Sequence, residues 1–169
     1  MHRAAGITIM LIGLGCFCFG QSDQGSIMRS QFGFVHKASG LKINFDTKIE
    51  AITKILGKPK IGTGILASRE FVKYQWDGLE IFVLPASGDT IDIKITNTKY
   101  VTLGGISIGS RIKKVKRDYG EPASVLKKAI EYQYSNPSEA QYADGSEIWG
   151  LRFYVSGDIV SAIEIGRLD

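Results

Sequence analysis

Residues 105–122 read GISIGSRIKKVKRDYGEP, and residues 42–59, at an offset of 63 positions, read KINFDTKIEAITKILGKP. Both stretches begin with alternating apolar residues, pass through a hydroxyl residue (Thr47 or Ser110) and end on Gly-x-Pro. Between these points, apolar side chains recur at the i, i+3 and i+7 positions of a helix. The pattern predicts, twice in the chain, a short extended segment, a hydroxyl N-cap and one short helix that stops at glycine.

Each predicted helix has a single apolar stripe, so it must pack flat on another element. The stripes consist of Ile49, Ile52 and Leu56 in the first helix and of Ile112, Val115 and Tyr119 in the second. Thr47 and Glu50 have the spacing of a capping box, in which each side chain bonds the backbone of the other residue.

Strands are predicted after each helix. Apolar and polar residues alternate in residues 72–76, 79–84 and 91–95, and again in residues 130–134, 151–155 and 163–165. This period of two is typical of strands with one buried face. The sequence therefore predicts an α+β fold made of two repeated helix-plus-antiparallel-strand units, residues 41–103 and 104–169. The units share one sheet, with the short helices packed on it, in one compact domain.

The two predicted units differ in one loop. Residues 135–150 (SNPSEAQYADGSEIWG) stand where the first unit has only Asp77-Gly78. The longer loop carries Tyr142 and Trp149. Because loops held on a rigid sheet are common places for recognition, both aromatic residues are candidate contacts for a partner.

Residues 1–20 have the pattern of a secretory signal peptide: a weakly cationic start, an apolar run too short for a membrane span, and polar residues from Gln21. We predict cleavage after Gly20, a linker at residues 21–40, and export to the periplasm, the cell envelope or the exterior. The alternative is a lipoprotein anchored through Cys16, which follows a loose lipidation box.

Composition excludes several classes of site. The chain's two cysteines, Cys16 and Cys18, lie within the predicted signal peptide, so the mature chain would have no disulfide, thiolate nucleophile or cysteine metal site. The net charge of +4 is mildly basic. It favours anionic surfaces through electrostatic steering, and nothing in it requires nucleic acid.

The run from Gly105 to Pro122, followed by strands, resembles the tandem repeat of the β-lactamase-inhibitor-protein-like (BLIP-like) superfamily. It is also similar to the SmpA/OmlA family of small outer-membrane lipoproteins. The resemblance covers roughly residues 41–169, and it implies a scaffold that binds other proteins. The inhibitor's disulfides have no counterpart in the predicted mature chain, and no inhibitory contact residue can be matched, so β-lactamase is not implied as the target.

Catalytic motifs in the sequence lack partners. Residues 105–109 match the G-x-S-x-G nucleophile elbow, but no histidine follows Ser107, where hydrolases with this elbow place it. His36, the one histidine outside the predicted signal peptide, lies upstream of that serine and has no second ligand near it in sequence. We therefore predict no catalytic residue, no metal and no cofactor. A hydrolase with dispersed carboxylates stays open as an alternative, because such pairs form in space.

Two further groups of side chains are candidate contacts. The second predicted helix presents Lys113, Lys116 and Arg117 outward, either towards an anionic envelope surface or simply to solvent. Trp76 and Tyr134 lie on predicted strands, either in the core or as exposed aromatic contacts.

Together these features predict an exported, non-enzymatic protein-binding module of the bacterial cell envelope or exterior, with an inhibitor-like role as one form of it. The expected partner is another protein. The alternatives are an outer-membrane assembly or anchoring lipoprotein and the dispersed-carboxylate hydrolase. The sequence leaves the identity of the partner and the oligomeric state open.

Overall fold

The computed structural model of the chain describes residues 26–27, 32–66, 69–134 and 148–168. These segments form helices α1 (Ile49–Leu56) and α2 (Ile112–Tyr119) and twelve strands. The strands are β1 (Ser26–Ile27), β2 (Phe34–His36), β3 (Lys42–Ile43), β4 (Lys60–Leu66), β5 (Arg69–Trp76), β6 (Leu79–Val83), β7 (Thr90–Ile95), β8 (Tyr100–Thr102), β9 (Ser124–Leu126), β10 (Ala129–Tyr134), β11 (Ile148–Ser156) and β12 (Ile159–Leu168). The predicted α+β class is confirmed.

The strands form two sheets. The large sheet has nine strands in the order β1-β10-β11-β12-β7-β6-β5-β4, with β9 also paired to β10. Its pairs are antiparallel except for β1 with β10. The small sheet has the order β3-β2-β8. A single sheet was expected, and the difference arises because β2, from the predicted linker, and β8 pair with each other and with β3 rather than extending the large sheet.

Each helix is followed in the chain by four consecutive antiparallel strands. Strands β4 to β7 form the N-terminal meander, and strands β9 to β12 form the C-terminal meander. The pairing of β7 with β12 joins the two meanders, with Ile95 opposite Ile163 and Ile93 opposite Ile165.

Both helices end at the predicted glycines. Gly57 has a φ of 83° and Gly120 a φ of 80°, a backbone conformation that side chains with a Cβ rarely adopt. The predicted stops are therefore confirmed.

The predicted hydroxyl N-caps are wrong. Lys48 and Arg111 occupy the two N-cap positions, and neither makes a side-chain capping bond. The hydroxyl of Thr47 instead accepts the N–H of Asn44 (2.9 Å), and that of Ser110 accepts the N–H of Ser107 (3.2 Å). Each hydroxyl closes the turn before its helix and is not available to cap the helix or to form a capping box.

The core lies between one face of the large sheet and the layer formed by the helices and the small sheet. Alternate residues of the sheet strands are buried, including Leu79, Ile93, Phe153 and Ile163. Ile52 of α1, Val115 of α2, and Phe34, Ile43 and Tyr100 of the small sheet pack against them. Burying side chains of this size stabilises a fold by about 1.5–3 kcal/mol each, which holds the short helices in place.

Two aromatic residues connect the sheet to the ends of the helices. The indole N–H of Trp76 donates to the carbonyl oxygen of Gly57 (2.8 Å). The hydroxyl of Tyr132 donates to the carbonyl oxygen of Gly120 (2.9 Å). Each bond satisfies a carbonyl that the helix leaves without an internal partner.

Candidate functional site

The face of the large sheet turned away from the helices, called here the outer face, carries a row of charged residues. Glu131, Arg152, Glu164, Lys94 and Glu80 lie directly opposite one another on β10, β11, β12, β7 and β6. We call this row the charge ladder. Its signs alternate across the five strands, so every cross-strand neighbour is attractive.

Arg152 holds two acids of the charge ladder together. Its Nε lies 2.7 Å from Oε1 of Glu131, and its Nη1 lies 3.3 Å from Oε1 of Glu164. Both glutamates are buried, with 5% and 8% of their surface exposed. Burial by itself would lower the pKa of Arg152, but hydrogen bonds to Tyr154 and Glu131 outweigh it and raise that pKa. The guanidinium therefore stays charged and holds two anions on the sheet.

Both carboxylate oxygens of Glu164 have partners. Its Oε1 faces Arg152. Its Oε2 accepts a hydrogen bond from the hydroxyl of Tyr154 (2.8 Å) and lies 3.7 Å from Nζ of Lys94. The Lys94 ammonium also lies 4.7 Å from the centre of the Tyr154 ring. A carboxylate with these partners is suited to organising the sheet surface rather than to acting as a free base or nucleophile.

Asp92 lies in the neighbouring row of the outer face. Burial, reinforced by the negative charge of Glu164, raises the pKa of Asp92 to about 8. Its Oδ1 is buried without a hydrogen-bond partner. Directly opposite is Gly166, where an added Cβ would lie 2.9 Å from the Asp92 carboxyl carbon. The glycine thus provides the space in which this carboxyl sits.

Trp149 was predicted as a contact in the loop of residues 135–150, but residues 148–150 belong to β11, and the Trp149 side chain is partly buried. Its ring meets that of Phe45 edge-on, with 5.3 Å between centroids. Phe45 precedes α1 and packs against the core. The pair therefore joins the C-terminal meander to the segment before the first helix, and it fixes a large aromatic side chain at that junction.

The other predicted aromatic contacts have different placements. Trp76 is in the core, the first of the two placements that the sequence allowed. Tyr134 belongs to β10, but its side chain lies outside the described part of the structure. Tyr142 and Cys16 also lie outside the described residues.

The predicted cations lie on α2. Lys113 is exposed, and within the described segments it has no ion-pair partner. Lys116 pairs with Glu121 at 2.7 Å, and Arg117 pairs with Asp118 at 2.7 Å. Hydrogen bonds from Arg117 and Lys114 lower the pKa of Asp118 to about 2. The helix face is therefore partly neutralised by its own acids.

The catalytic motifs of the sequence occupy structural positions. Ser107 lies in the turn before α2, next to the buried Ile106. His36 is on the small sheet, with its Nδ1 2.8 Å from the hydroxyl of Ser39. Across residues 26–27, 32–66, 69–134 and 148–168, no group of three or more His, Cys, Asp and Glu side chains is placed to hold a metal ion.

Exposed apolar side chains lie on two end strands of the large sheet. Ile61 and Ile65 of β4 are 63% and 73% exposed, and Val125 of β9 is 70% exposed. These residues and the charge ladder were not predicted. Alternation along each strand places charged residues on the outer face, but it does not give the register that aligns five strands into one row.

Neither described helix is long and apolar enough to cross a membrane. Comparison of the chain with protein-family models, with curated proteins and with solved structures finds no match. The resemblance to the BLIP-like and SmpA/OmlA groups therefore stays a prediction from the sequence motifs.

Proposed function

We propose that this chain is an exported, non-enzymatic protein-binding module of the bacterial cell envelope or exterior. The observation that carries the proposal is the Phe45–Trp149 pair. Trp149 is a large amphipathic side chain that is held by an edge-on ring and borders the long loop predicted to make contacts. Such rigid aromatic anchors contribute strongly to binding because little conformational entropy is lost when they are covered.

We also infer that the scaffold is an internal duplication of one helix-plus-four-strand unit. Turns with the same bond, from Asn44 to Thr47 and from Ser107 to Ser110, precede the two helices. The large sheet has register shifts at Phe82/Val83 in one meander and at Tyr154/Val155 in the other. Both irregularities fall on the third strand after a helix, where that strand pairs with the fourth.

Cross-strand register supports the same inference and changes one sequence alignment. Trp76 lies opposite Leu79, and Tyr132 lies opposite Leu151. Each is an aromatic residue whose N–H or O–H group donates to the carbonyl oxygen of the glycine that ends the helix of the same unit. Trp76 therefore corresponds to Tyr132, whereas the sequence pattern had aligned Trp76 with Tyr134.

The binding proposal is tested by photo-crosslinking. A benzoyl-phenylalanine introduced at Trp149 in the full chain should form a discrete covalent adduct with an envelope protein of the native host. The matched control carries the same residue at Phe71, an aromatic position on the outer face of the N-terminal meander that packs on Phe82. Equal adducts at both positions, or none at Trp149, would contradict the proposal.

The lipoprotein alternative depends on Cys16. Mass spectrometry of the exported chain separates a free start at Gln21, expected for the secreted module, from a diacylglyceryl cysteine, expected for an anchored assembly component. An anionic envelope surface remains a second proposed contact, through Lys113 and its neighbours on α2.

The hydrolase alternative is favoured by one observation, the carboxyl of Asp92 with its raised pKa beside Glu164. Asp92→Asn removes this acid. A hydrolytic activity of the purified chain that is lost in Asp92→Asn would support that alternative over the binding module.

A further inference from the structure

Strand β4 is the terminal strand of the large sheet. It pairs with β5 along its whole length, from Lys60 opposite Gln75 to Leu66 opposite Arg69. In the described part of the chain no strand pairs with its other edge. Ile61 and Ile65, 63% and 73% exposed, lie beside this edge. An edge of seven residues with unpaired backbone groups is a template for another strand.

The sequence of β4 is self-complementary. Residues 61–65 read Ile-Gly-Thr-Gly-Ile, which is the same in both directions about Thr63. In an antiparallel pair centred on Thr63, Ile61 of one copy faces Ile65 of the other, and Gly62 faces Gly64. Each apolar side chain thus meets an apolar side chain, and each glycine meets a glycine.

Charge also permits this pairing. Edge strands are commonly protected by a central lysine or another charged side chain, and residues 61–65 contain none. The flanking Lys60 would face Leu66 of the second copy, so no like charges lie opposite each other. On the outer side, Gly64 is covered by the Phe71 ring, which would lie 2.5 Å from an added Cβ, and Gly62 is open.

Strand β9 offers a weaker edge, although it exposes Val125 and Leu126. It has three residues, and the rest of the adjoining β10 edge is paired with β1. Three residues give few backbone bonds, whereas β4 offers seven positions. The open edge of β4 is therefore the better surface for association.

We propose that two copies of the chain pair through β4, antiparallel about Thr63, to form one continuous sheet across a two-fold axis. The edge lies five strand spacings from β11, about 24 Å at the usual spacing of 4.8 Å. Trp149 stays accessible in this dimer, so the assembly presents the Phe45–Trp149 surface twice.

Introducing a charge at Thr63, on the two-fold axis, tests the pairing. Because Thr63 faces itself, Thr63→Lys places two ammonium groups opposite each other, and Thr63→Glu places two carboxylates opposite each other. Sedimentation of the full chain should give a dimer for the wild type and a monomer for each variant. At least a tenfold weaker association is expected for each. An equimolar mixture of the two variants should restore a dimer containing one copy of each.

Val125→Lys is the matched control, because it charges an exposed apolar position on the other end strand. It should remain dimeric, and circular dichroism melting should show that all three variants fold. A wild type that sediments as a monomer at about 100 µM would overturn the proposal. So would a dimeric Thr63→Lys variant, a mixture that stays monomeric, or loss of the dimer in Val125→Lys.

Discussion

The N-terminal and C-terminal meanders have the same strand order but different surfaces. On the outer face of the C-terminal meander, Glu131 and Glu164 are under a tenth exposed and both pair with Arg152. In the N-terminal meander, Lys73 and Glu80 form an ion pair that solvent reaches. At the sheet ends, β4 leaves a long edge open, whereas β9 is short and β1 pairs with the rest of β10. The same strand order therefore supports an open edge that can associate in the N-terminal meander and a tightly packed polar surface in the C-terminal meander.

The largest expected effect on the free energy of unfolding comes from the different space around Gly150 and Gly62. An added Cβ at Gly150 in the C-terminal meander would lie 2.3 Å from the backbone oxygen of Tyr132, whereas at Gly62 in the N-terminal meander it would meet nothing within 4 Å. Gly150→Val should lower the free energy of unfolding by about 4 kcal/mol because backbone must move. Gly62→Val should change it by less than about 1 kcal/mol, measured by urea denaturation. Similar losses for both would remove the contrast.

The next effect concerns pH and Asp92 in the N-terminal meander. Because folding raises its pKa from 3.8 to about 8, the folded state binds this proton more tightly than the unfolded state. Ionisation therefore opposes folding: the penalty is absent below pH 3.8, grows as the pH rises, and is complete above about 8. Asp92→Asn should therefore be more stable than the wild type by a few kcal/mol at pH 9, where the ionisation penalty of the wild type is complete.

This difference should shrink as the pH falls towards 5, and denaturation curves across that range measure it. Below this range Asp118 acts in the opposite direction, because its lowered pKa makes its stabilising charge disappear as the pH falls through about 2. Asp89→Asn, at an exposed carboxyl in the loop before β7, is the control. If the free energies of unfolding of wild type and Asp92→Asn differ by the same amount at every pH, ionisation of Asp92 does not oppose folding and its carboxyl is not buried.

The smallest effect compares the two helix ends. Gly57 and Gly120 have nearly equal φ angles, and an added Cβ at either would meet nothing within 4 Å. Both have ψ near 180°, so Gly57→Ala and Gly120→Ala should each cost about 2 kcal/mol through backbone strain alone, by equal amounts if the units are copies. Thermal melting measures both, with Gly62→Ala as the control without positive φ. A loss at one helix and none at the other would weigh against the duplication.

Several elements could be predicted from local sequence. The helix positions follow from apolar spacing and from Gly57 and Gly120, and the main strands follow from period-two alternation. The N-caps could not be predicted in this way, because the Thr47 and Ser110 hydroxyls can each accept a backbone N–H group either from the first turn of the helix or from the turn before it. The turn before each helix, not the helix itself, received the bond.

The candidate site was predicted in part. Trp149 stood out as an aromatic residue in an unusual loop, but its contact with Phe45 joins residues far apart in the chain. The charge ladder left a weaker signal, because Glu131, Lys94, Arg152 and Glu164 each alternate with apolar neighbours. Which of them lie opposite one another depends on strand register, and no local pattern fixes register between distant strands.

The sequence by itself determined the fold class, the two short helices and their glycine stops, because these depend on side-chain periodicity and backbone preferences within a few residues. Only the tertiary structure decided which strands meet at the centre of the sheet, which charges pair across it and which strand is left at its end. These outcomes depend on pairing between remote segments. Many strand pairings would form similar backbone hydrogen bonds, and the pairing that buries the whole core is the one adopted.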